Sequence, residues 1–225
     1  MAGSLRLALF GPPGAGKGTQ AQLLKDKLNV AHVSSGDLFR HHINEGTELG
    51  ARATEFMSKG LLVPDDLVIE MVLDEVSGLE QGSGFILDGF PRTRDQAAAL
   101  ETALRARRQP LDKALLVSVP QAELVRRLGG RFICRVCQAP YNLEESQFAS
   151  PPRCERCSGE LYQRDDDRPD AIQVRIGVYQ EQTAPVLDFY RERGLLEEIS
   201  GVGAVEDINA RALEALGLDS SAQVG

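Results

Sequence analysis

The sequence predicts an α/β fold: a parallel five-stranded sheet covered by helices on both faces. Three observations predict it. Short apolar runs recur at Leu5–Phe10, Ala31–Val33, Phe85–Leu87, Ala114–Val119 and Leu195–Ile199, separated by stretches of helical periodicity. Continuous apolar strands alternating with helices indicate a sheet buried on both faces. The first run leads straight into a glycine-rich turn, Phe10-Gly11-Pro12-Pro13-Gly14-Ala15-Gly16-Lys17-Gly18-Thr19. The third ends in an acidic residue and a breaker loop, Asp88-Gly89-Phe90-Pro91-Arg92. In open α/β sheets, ligands sit beyond the carboxyl ends of the strands.

The glycine-rich turn is a phosphate cradle. Glycines reach φ/ψ values that a Cβ blocks, so successive backbone N–H groups point inward at one polyphosphate. The helix that follows, Gly18–Leu28, has Ala21, Leu24 and Leu28 on one face and turns its positive N-terminal end toward the same oxygens. Lys17 reaches the phosphates as a point charge. This predicts a P-loop NTPase three-layer sandwich. The usual P-loop places Ser or Thr directly after the lysine to reach Mg²⁺. Here Gly18 stands there and the hydroxyl follows at Thr19, so the metal is expected to be held differently. Asp88, at its strand end, is placed to hold Mg²⁺ or its waters, and Arg92 projects into the same crevice.

Helices are expected over Asp37–Asn44, Glu48–Lys59, Asp65–Leu79, Thr93–Arg107, Gln121–Leu128, Pro169–Ala184 and Pro185–Arg193. Pro169 and Pro185 suit first-turn positions, and Gly194 suits a helix stop. Two stretches interrupt the alternation. Residues 34–63 are helical without a strand. Residues 130–167 follow the Gly129-Gly130 pair, contain Pro151-Pro152 and end at Asp165-Asp166-Asp167. Both read as insertions into one core made of 1–33, 64–129 and 168–225. Asp219 to Gly225 read as a frayed tail.

Composition narrows the partners. The chain has 225 residues, 42% hydrophobic, with a net charge of −8 and a sequence pI of about 5.0. An acidic chain lacks general affinity for nucleic acid or anionic membrane. No apolar stretch is long enough to span a bilayer. The first apolar run is too short for a signal sequence, so a cytoplasmic protein is expected. Arginine outnumbers lysine 20 to 5. A GC-rich genome produces the same bias, so only individual arginine positions are informative.

All four cysteines form two knuckles, Cys134-x2-Cys137 and Cys154-x2-Cys157. Each knuckle can place two thiolates on one tetrahedral ion. Four protein ligands close such a site, so the metal has a structural role. Tetrathiolate geometry suits Zn²⁺ and also accommodates Fe or Co. The 130–167 stretch is too poor in apolar residues to build a core alone, and a closed metal site supplies the missing folding energy. The rival is a nucleic-acid-binding zinc ribbon. From Arg131 to Asp167 there are 5 Arg against 7 Asp or Glu, so the basic stripe such binding needs is absent. His32, His41 and His42 lie far from the cysteines in sequence and read as ordinary loop or helix residues.

Ser35-Gly36-Asp37-Leu38-Phe39-Arg40, then Leu87-Asp88-Gly89-Phe90-Pro91-Arg92-Thr93 with Gln96, resembles the nucleoside monophosphate kinases. The Gly16-Lys17-Gly18-Thr19 form of the P-loop is also theirs. Within them the chain is similar to the adenylate kinases of the long-lid, bacterial type, from Leu5 to about Ile208, and the cysteine quartet resembles their zinc-binding lids. The resemblance implies Mg²⁺-dependent transfer between ATP and AMP to give ADP, by a monomer. It implies ATP contacts from Gly14, Ala15, Gly16, Lys17, Gly18, Thr19, Arg127, Arg131 and Gly203. Residues 34–63 would be the AMP-binding domain and 130–167 the lid. Ser35 (threonine in many relatives), Arg40, Met57, Leu62, Val63, Gly89, Arg92, Gln96, Arg164 and Arg175 would form the AMP side, with Gln96 reading the adenine edge. Lys17, Asp88, Arg92, Arg131, Arg164 and Arg175 would carry the chemistry. Asp166 and Asp167 would pair with the arginines. A GTP-dependent AMP kinase, or a kinase for another monophosphate, is the alternative within the family.

Cys134→Ser is expected to lower metal content and the stability of the 130–167 segment while phosphoryl transfer stays measurable at low temperature. Metal analysis, protease sensitivity and activity on one preparation check this. Complete inactivity with the segment intact would contradict a structural role.

Overall fold

A computed structural model describes residues 4–142 and 153–218. Strands β1 (Arg6–Phe10), β2 (Ala31–Ser34), β3 (Phe85–Asp88), β4 (Lys113–Ser118) and β8 (Leu196–Ser200) form the main sheet. Its order is β2-β3-β1-β4-β8, and every pairing is parallel. The first strand therefore sits in the centre, and the loop after it opens at the middle of the sheet's carboxyl edge.

Period-two alternation divides β1 between two cores. Ala8 and Phe10 face one core with Val72, Phe85, Leu87, Leu100 and Tyr190. Leu7 and Leu9 face the other with Leu24, Ile86, Leu115 and Leu213. Helices α1 (Lys17–Leu28), α6 (Gln121–Gly129), α7 (Pro169–Val178) and α9 (Val205–Ala215) contribute to the second core through residues such as Ala21, Leu124, Ile172 and Ile208. Helices α4 (Asp65–Gly78), α5 (Arg94–Ala106) and α8 (Val186–Arg191) contribute to the first through Val68, Leu104 and Leu187. This is the expected three-layer sandwich.

Two helical expectations need correction. Residues 169–184 do not form one α-helix. After Val178 the backbone widens into a π-helical turn, Tyr179–Thr183, where the Ala184 N–H reaches back to the Tyr179 carbonyl at 2.8 Å. Pro185 follows with no N–H to continue the ladder. Helix α9 was not expected. Its apolar face is narrow, with Ile208, Ala212 and Leu213 buried, and it follows a loop rich in glycine. The expected tail, 219–225, and the Pro151-Pro152 pair lie outside the described residues.

Helices α2 (Ser35–Asn44) and α3 (Glu48–Met57) form the strandless insertion. The Oγ of Ser34, the last residue of β2, caps α2 by accepting the Asp37 N–H at 3.3 Å, so the helix starts directly at the edge of the site. The two helices touch backbone to backbone at Gly50, where an added Cβ would lie 2.3 Å from the His42 carbonyl oxygen. The second insertion is a small antiparallel sheet of β5 (Arg131–Cys134), β6 (Pro140–Asn142) and β7 (Leu161–Tyr162), in the order β6-β5-β7. Among the described residues its apolar cluster is Cys134, Cys154 and Leu161, with Phe132 and Tyr141 packed against them. Among the described residues, no helix is long and apolar enough to cross a membrane.

Gly50→Ala is expected to force α3 off α2 and destabilise the protein by about 1–3 kcal/mol. Denaturant unfolding measures the loss. A change below about 0.5 kcal/mol would show that the two backbones separate freely.

Candidate active site

The loop after β1 is shaped by close approach. Gly11 has φ +149° and an added Cβ would meet the Val117 carbonyl at 2.6 Å; Gly14 has φ +85° and one would meet Leu128 at 2.9 Å. Ala15 is buried and its N–H closes the turn onto the Pro12 carbonyl at 3.1 Å. Gly16 precedes α1 in the left-handed region. Gly18 and Thr19 lie in the first turn of α1, and a Cβ on Gly18 would come 3.4 Å from Asp88 Oδ2. The absent side chain leaves the carboxylate facing the loop.

Lys17 folds over this loop. Its Nζ donates to the Gly11 carbonyl at 2.7 Å and the Pro12 carbonyl at 3.1 Å. Desolvation pushes its pKa down to about 8, with Asp88 opposing and Arg92, Arg175 and Arg131 adding to the fall. Asp88 ends β3. Burial alone would raise its pKa, but His32, Lys17 and Arg92 outweigh burial and hold it below the usual carboxylate range. It stays an anion, and a hard anionic oxygen fits Mg²⁺ or its waters. His32 Nε2 lies 3.7 Å from Asp88 Oδ2, too far for a hydrogen bond. That nitrogen is buried and without a hydrogen-bond partner among the described residues. His32 thus lies on β2 beside the site rather than in a loop or helix away from it. Only the β2–β3 register, which sets Ser34 opposite Asp88, reveals this.

The loop after Asp88 is tied from several sides. Ser35 Oγ donates to the Gly89 carbonyl at 2.8 Å, and Arg92 Nε donates to the same carbonyl at 2.7 Å. The buried Gln96 accepts the Arg92 N–H at 2.7 Å and donates to Asp65 Oδ1 at 2.7 Å. Each end of this amide makes one bond within the protein and keeps one further donor or acceptor position, and in this structure Gln96 ties the Arg92 backbone to Asp65. Asp65, which sequence reasoning missed, also accepts from Thr93 Oγ1 at 2.6 Å. Burial and the nearby Arg175 depress the Arg92 pKa.

Arginines from the second insertion and α7 converge on two carboxylates. Arg131 donates through Nε to Asp167 Oδ2 at 2.7 Å and through Nη2 to Oδ1. Arg175 Nη1 lies 2.6 Å from Asp167 Oδ1 and 3.1 Å from Asp166 Oδ2. Asp167 is wholly buried. Arg164 leaves its Nε buried without a partner among the described residues. Burial, then Arg40 and Arg131, push its pKa down to about 10.

A cavity of about 130 Å³ gathers Lys17, Arg40, Met57, Leu62, Gly89, Arg92, Asp166 and Arg175 in its lining. Arg40 pairs with Asp37. Val63 does not line this cleft and is buried in the first core. Arg127 and Gly203 also stand apart from it. Arg127 donates to Glu123 at 2.7 Å and to the Gly201 carbonyl at 3.1 Å. Gly203 lies in the same loop with φ +116°. A larger cavity of about 760 Å³ lies between α2, α3 and α4, with Glu48, Glu70, Asp74 and Glu75 in its lining. That acidic lining repels phosphate, which favours the smaller cleft as the site.

Cys134, Cys137, Cys154 and Cys157 bring their sulfurs within 4.8 Å of one another. Four thiolates about 2.3 Å from a tetrahedral Zn²⁺ are about 3.8 Å apart, so the quartet fits such an ion. Burial raises the Cys154 pKa, but hydrogen bonds, the Tyr141 hydroxyl first, bring it down to about 6.

The family model for adenylate kinase matches residues 9–195. The chain belongs to the adenylate kinase family. It is 47% identical to the adenylate kinase of Methanocella arvoryzae over 206 residues, 92% of this chain and 95% of that protein. It is 45% identical to that of Streptomyces griseus over 217 residues, 94% and 97% of the two chains. It is 43% identical to that of Caldicellulosiruptor bescii over 219 residues, 96% and 100% of the two chains. In this adenylate kinase, the cations of the site come from five places: the start of α1, α2, the loop after β3, α7 and the base of the second insertion.

Asp167→Asn is expected to leave Arg131 without its carboxylate partner and Arg175 with Asp166 alone, costing about 3–5 kcal/mol of stability. KM for both nucleotides should rise together. Unchanged unfolding and kinetics would remove Asp167 as the anchor.

Proposed function

We propose that this adenylate kinase catalyses reversible phosphoryl transfer from ATP to AMP, giving two ADP, with no general base. The observation that carries the reading is the convergence of Lys17, Arg40, Arg92 and Arg175 on one cleft, with Arg131 and Arg164 acting on the same charges. The acceptor, a phosphate monoester, is already ionised at neutral pH, so nothing must be deprotonated. The barrier lies in bringing two anions into line and keeping water out. Cations fixed on several sides lower it electrostatically.

Residues 1–33, 64–129 and 168–225 are the core in this reading, 34–63 the AMP-binding domain and 130–167 a lid. Gly14, Ala15, Gly16, Lys17, Gly18 and Thr19 cradle the ATP phosphates. Arg127 and the Gly203 loop face its adenine. Ser35, Arg40, Met57, Leu62 and Gly89 border AMP, with Arg92 on its phosphate. Gln96, held by Arg92 and Asp65, reads the adenine edge of AMP with its remaining donor and acceptor positions. Arg164 and Arg175 reach both nucleotides. Mg²⁺ carried by ATP supplies further charge neutralisation, and Asp88 is the residue that would hold its waters. A structural Zn²⁺ on the four cysteines stiffens the lid. A monomer is the reading for the assembly, and thiols gathered for a metal suit the cytoplasm.

Protein given only ADP and Mg²⁺ should produce ATP and AMP in equal amounts with no free phosphate, followed by phosphorus NMR. A silent spectrum from folded, metal-loaded protein would reject adenine on both sides and favour GTP as donor.

A further inference from the structure

We propose that Tyr141 is a positioning residue of the four-cysteine metal site, its hydroxyl donating a hydrogen bond to the Cys154 thiolate from outside the ligand set. The proposal rests on the reading that the quartet holds a divalent metal. Tyr141 lies on β6, opposite Phe132 on β5. Its Oη is 3.2 Å from Cys154 Sγ and 3.1 Å from the Glu155 backbone nitrogen.

The direction of the bond follows from the chemistry of the three groups. The Glu155 N–H can only donate, so it takes a lone pair of the phenol oxygen. A metal-bound thiolate has no proton and can only accept. Of the hydroxyl and the sulfur only the hydroxyl then carries a proton, so this contact runs from Tyr141 to Cys154. The Tyr141 ring packs against Cys134, Cys154 and Leu161, which fixes where the hydroxyl points.

Its partner sulfur lies on the other knuckle. Cys134 Sγ is approached by the N–H groups of Val136 and Cys137, at 3.4 and 3.5 Å, both from its own knuckle. Cys154 is reached by a side chain 13 residues upstream, from the strand that follows the first knuckle. Tyr141 thus joins the two halves of the site through one thiolate. Four thiolates on a divalent ion leave excess negative charge, and a hydroxyl donor withdraws part of it. The bond holds Cys154 oriented toward the metal and disfavours its protonation and release.

Tyr141→Phe keeps the ring and removes only the proton donor. With Co²⁺ in place of zinc, the variant's sulfur-to-metal charge-transfer band should move to lower energy, because the thiolate becomes more electron-rich. Zn²⁺ affinity, read by competition with a chromogenic chelator, should fall about tenfold or more. Phe132→Leu, which loosens the same apolar cluster, is the comparison. It should weaken Zn²⁺ binding without moving the band. An unchanged band in Tyr141→Phe, with or without weaker binding, overturns the proposal, since packing alone then accounts for Tyr141. Failure of the wild type to take up one Co²⁺ per chain is a separate result, and it overturns the metal reading and the Tyr141 role together.

Discussion

Mutual repulsion among cations is the constraint that organises this site. Burial first, and then neighbouring cations with Arg40 and Arg131 among them, depress the proton affinity of Lys17, Arg92, Arg164 and Arg175. Such a cluster is stable only if anions or carbonyls hold it between turnovers. Asp88 answers Lys17, Asp166 and Asp167 hold Arg131 and Arg175, and backbone carbonyls hold Lys17 and Arg92. These partners keep the donors oriented before substrate arrives, so little reorganisation remains when negative charge enters.

The second insertion carries this scheme at its base and its metal cluster farther along the chain. Arg164, Asp166 and Asp167 fall in one short segment just before Pro169 starts α7. Across from it, α6 ends at Gly129, whose carbonyl accepts from Gln163 Nε2 at 3.0 Å. The same amide lies 3.3 Å from the Asp167 carbonyl. The stem is thus tied across its base by polar contacts of Gln163. The knuckles gather into one small cluster what an apolar core of this size cannot stabilise.

Local signals were legible in the sequence and non-local ones were not. The cradle, Asp88 and the cysteine knuckles each lie in one short window whose residue types have few other uses. All five strands appear within a residue of the expected ends because their apolar runs are continuous. Asp65 and His32 were missed because each acquires meaning only through a neighbour set by tertiary packing: Gln96 and Thr93 for one, Asp88 for the other. Gln96 was placed at the adenine edge from the resemblance alone, whereas its ties to Arg92 and Asp65 come from tertiary packing. Helix α9 was missed because its buried face is narrow. The π turn after Val178 depends on how the chain meets Pro185, which helical periodicity does not report.

The ionisation of Lys17 tests the account most directly. With only five lysines in the chain, ε-labelled lysine and NMR can follow the group through its titration. The account predicts a midpoint near 8 in the free protein, against the ordinary 10.5. It also predicts an upward move when a nucleotide polyphosphate brings negative charge beside the ammonium. A free-protein midpoint near 10.5, or one that polyphosphate leaves unmoved, would contradict a desolvated, mutually repelling cluster waiting for its anion.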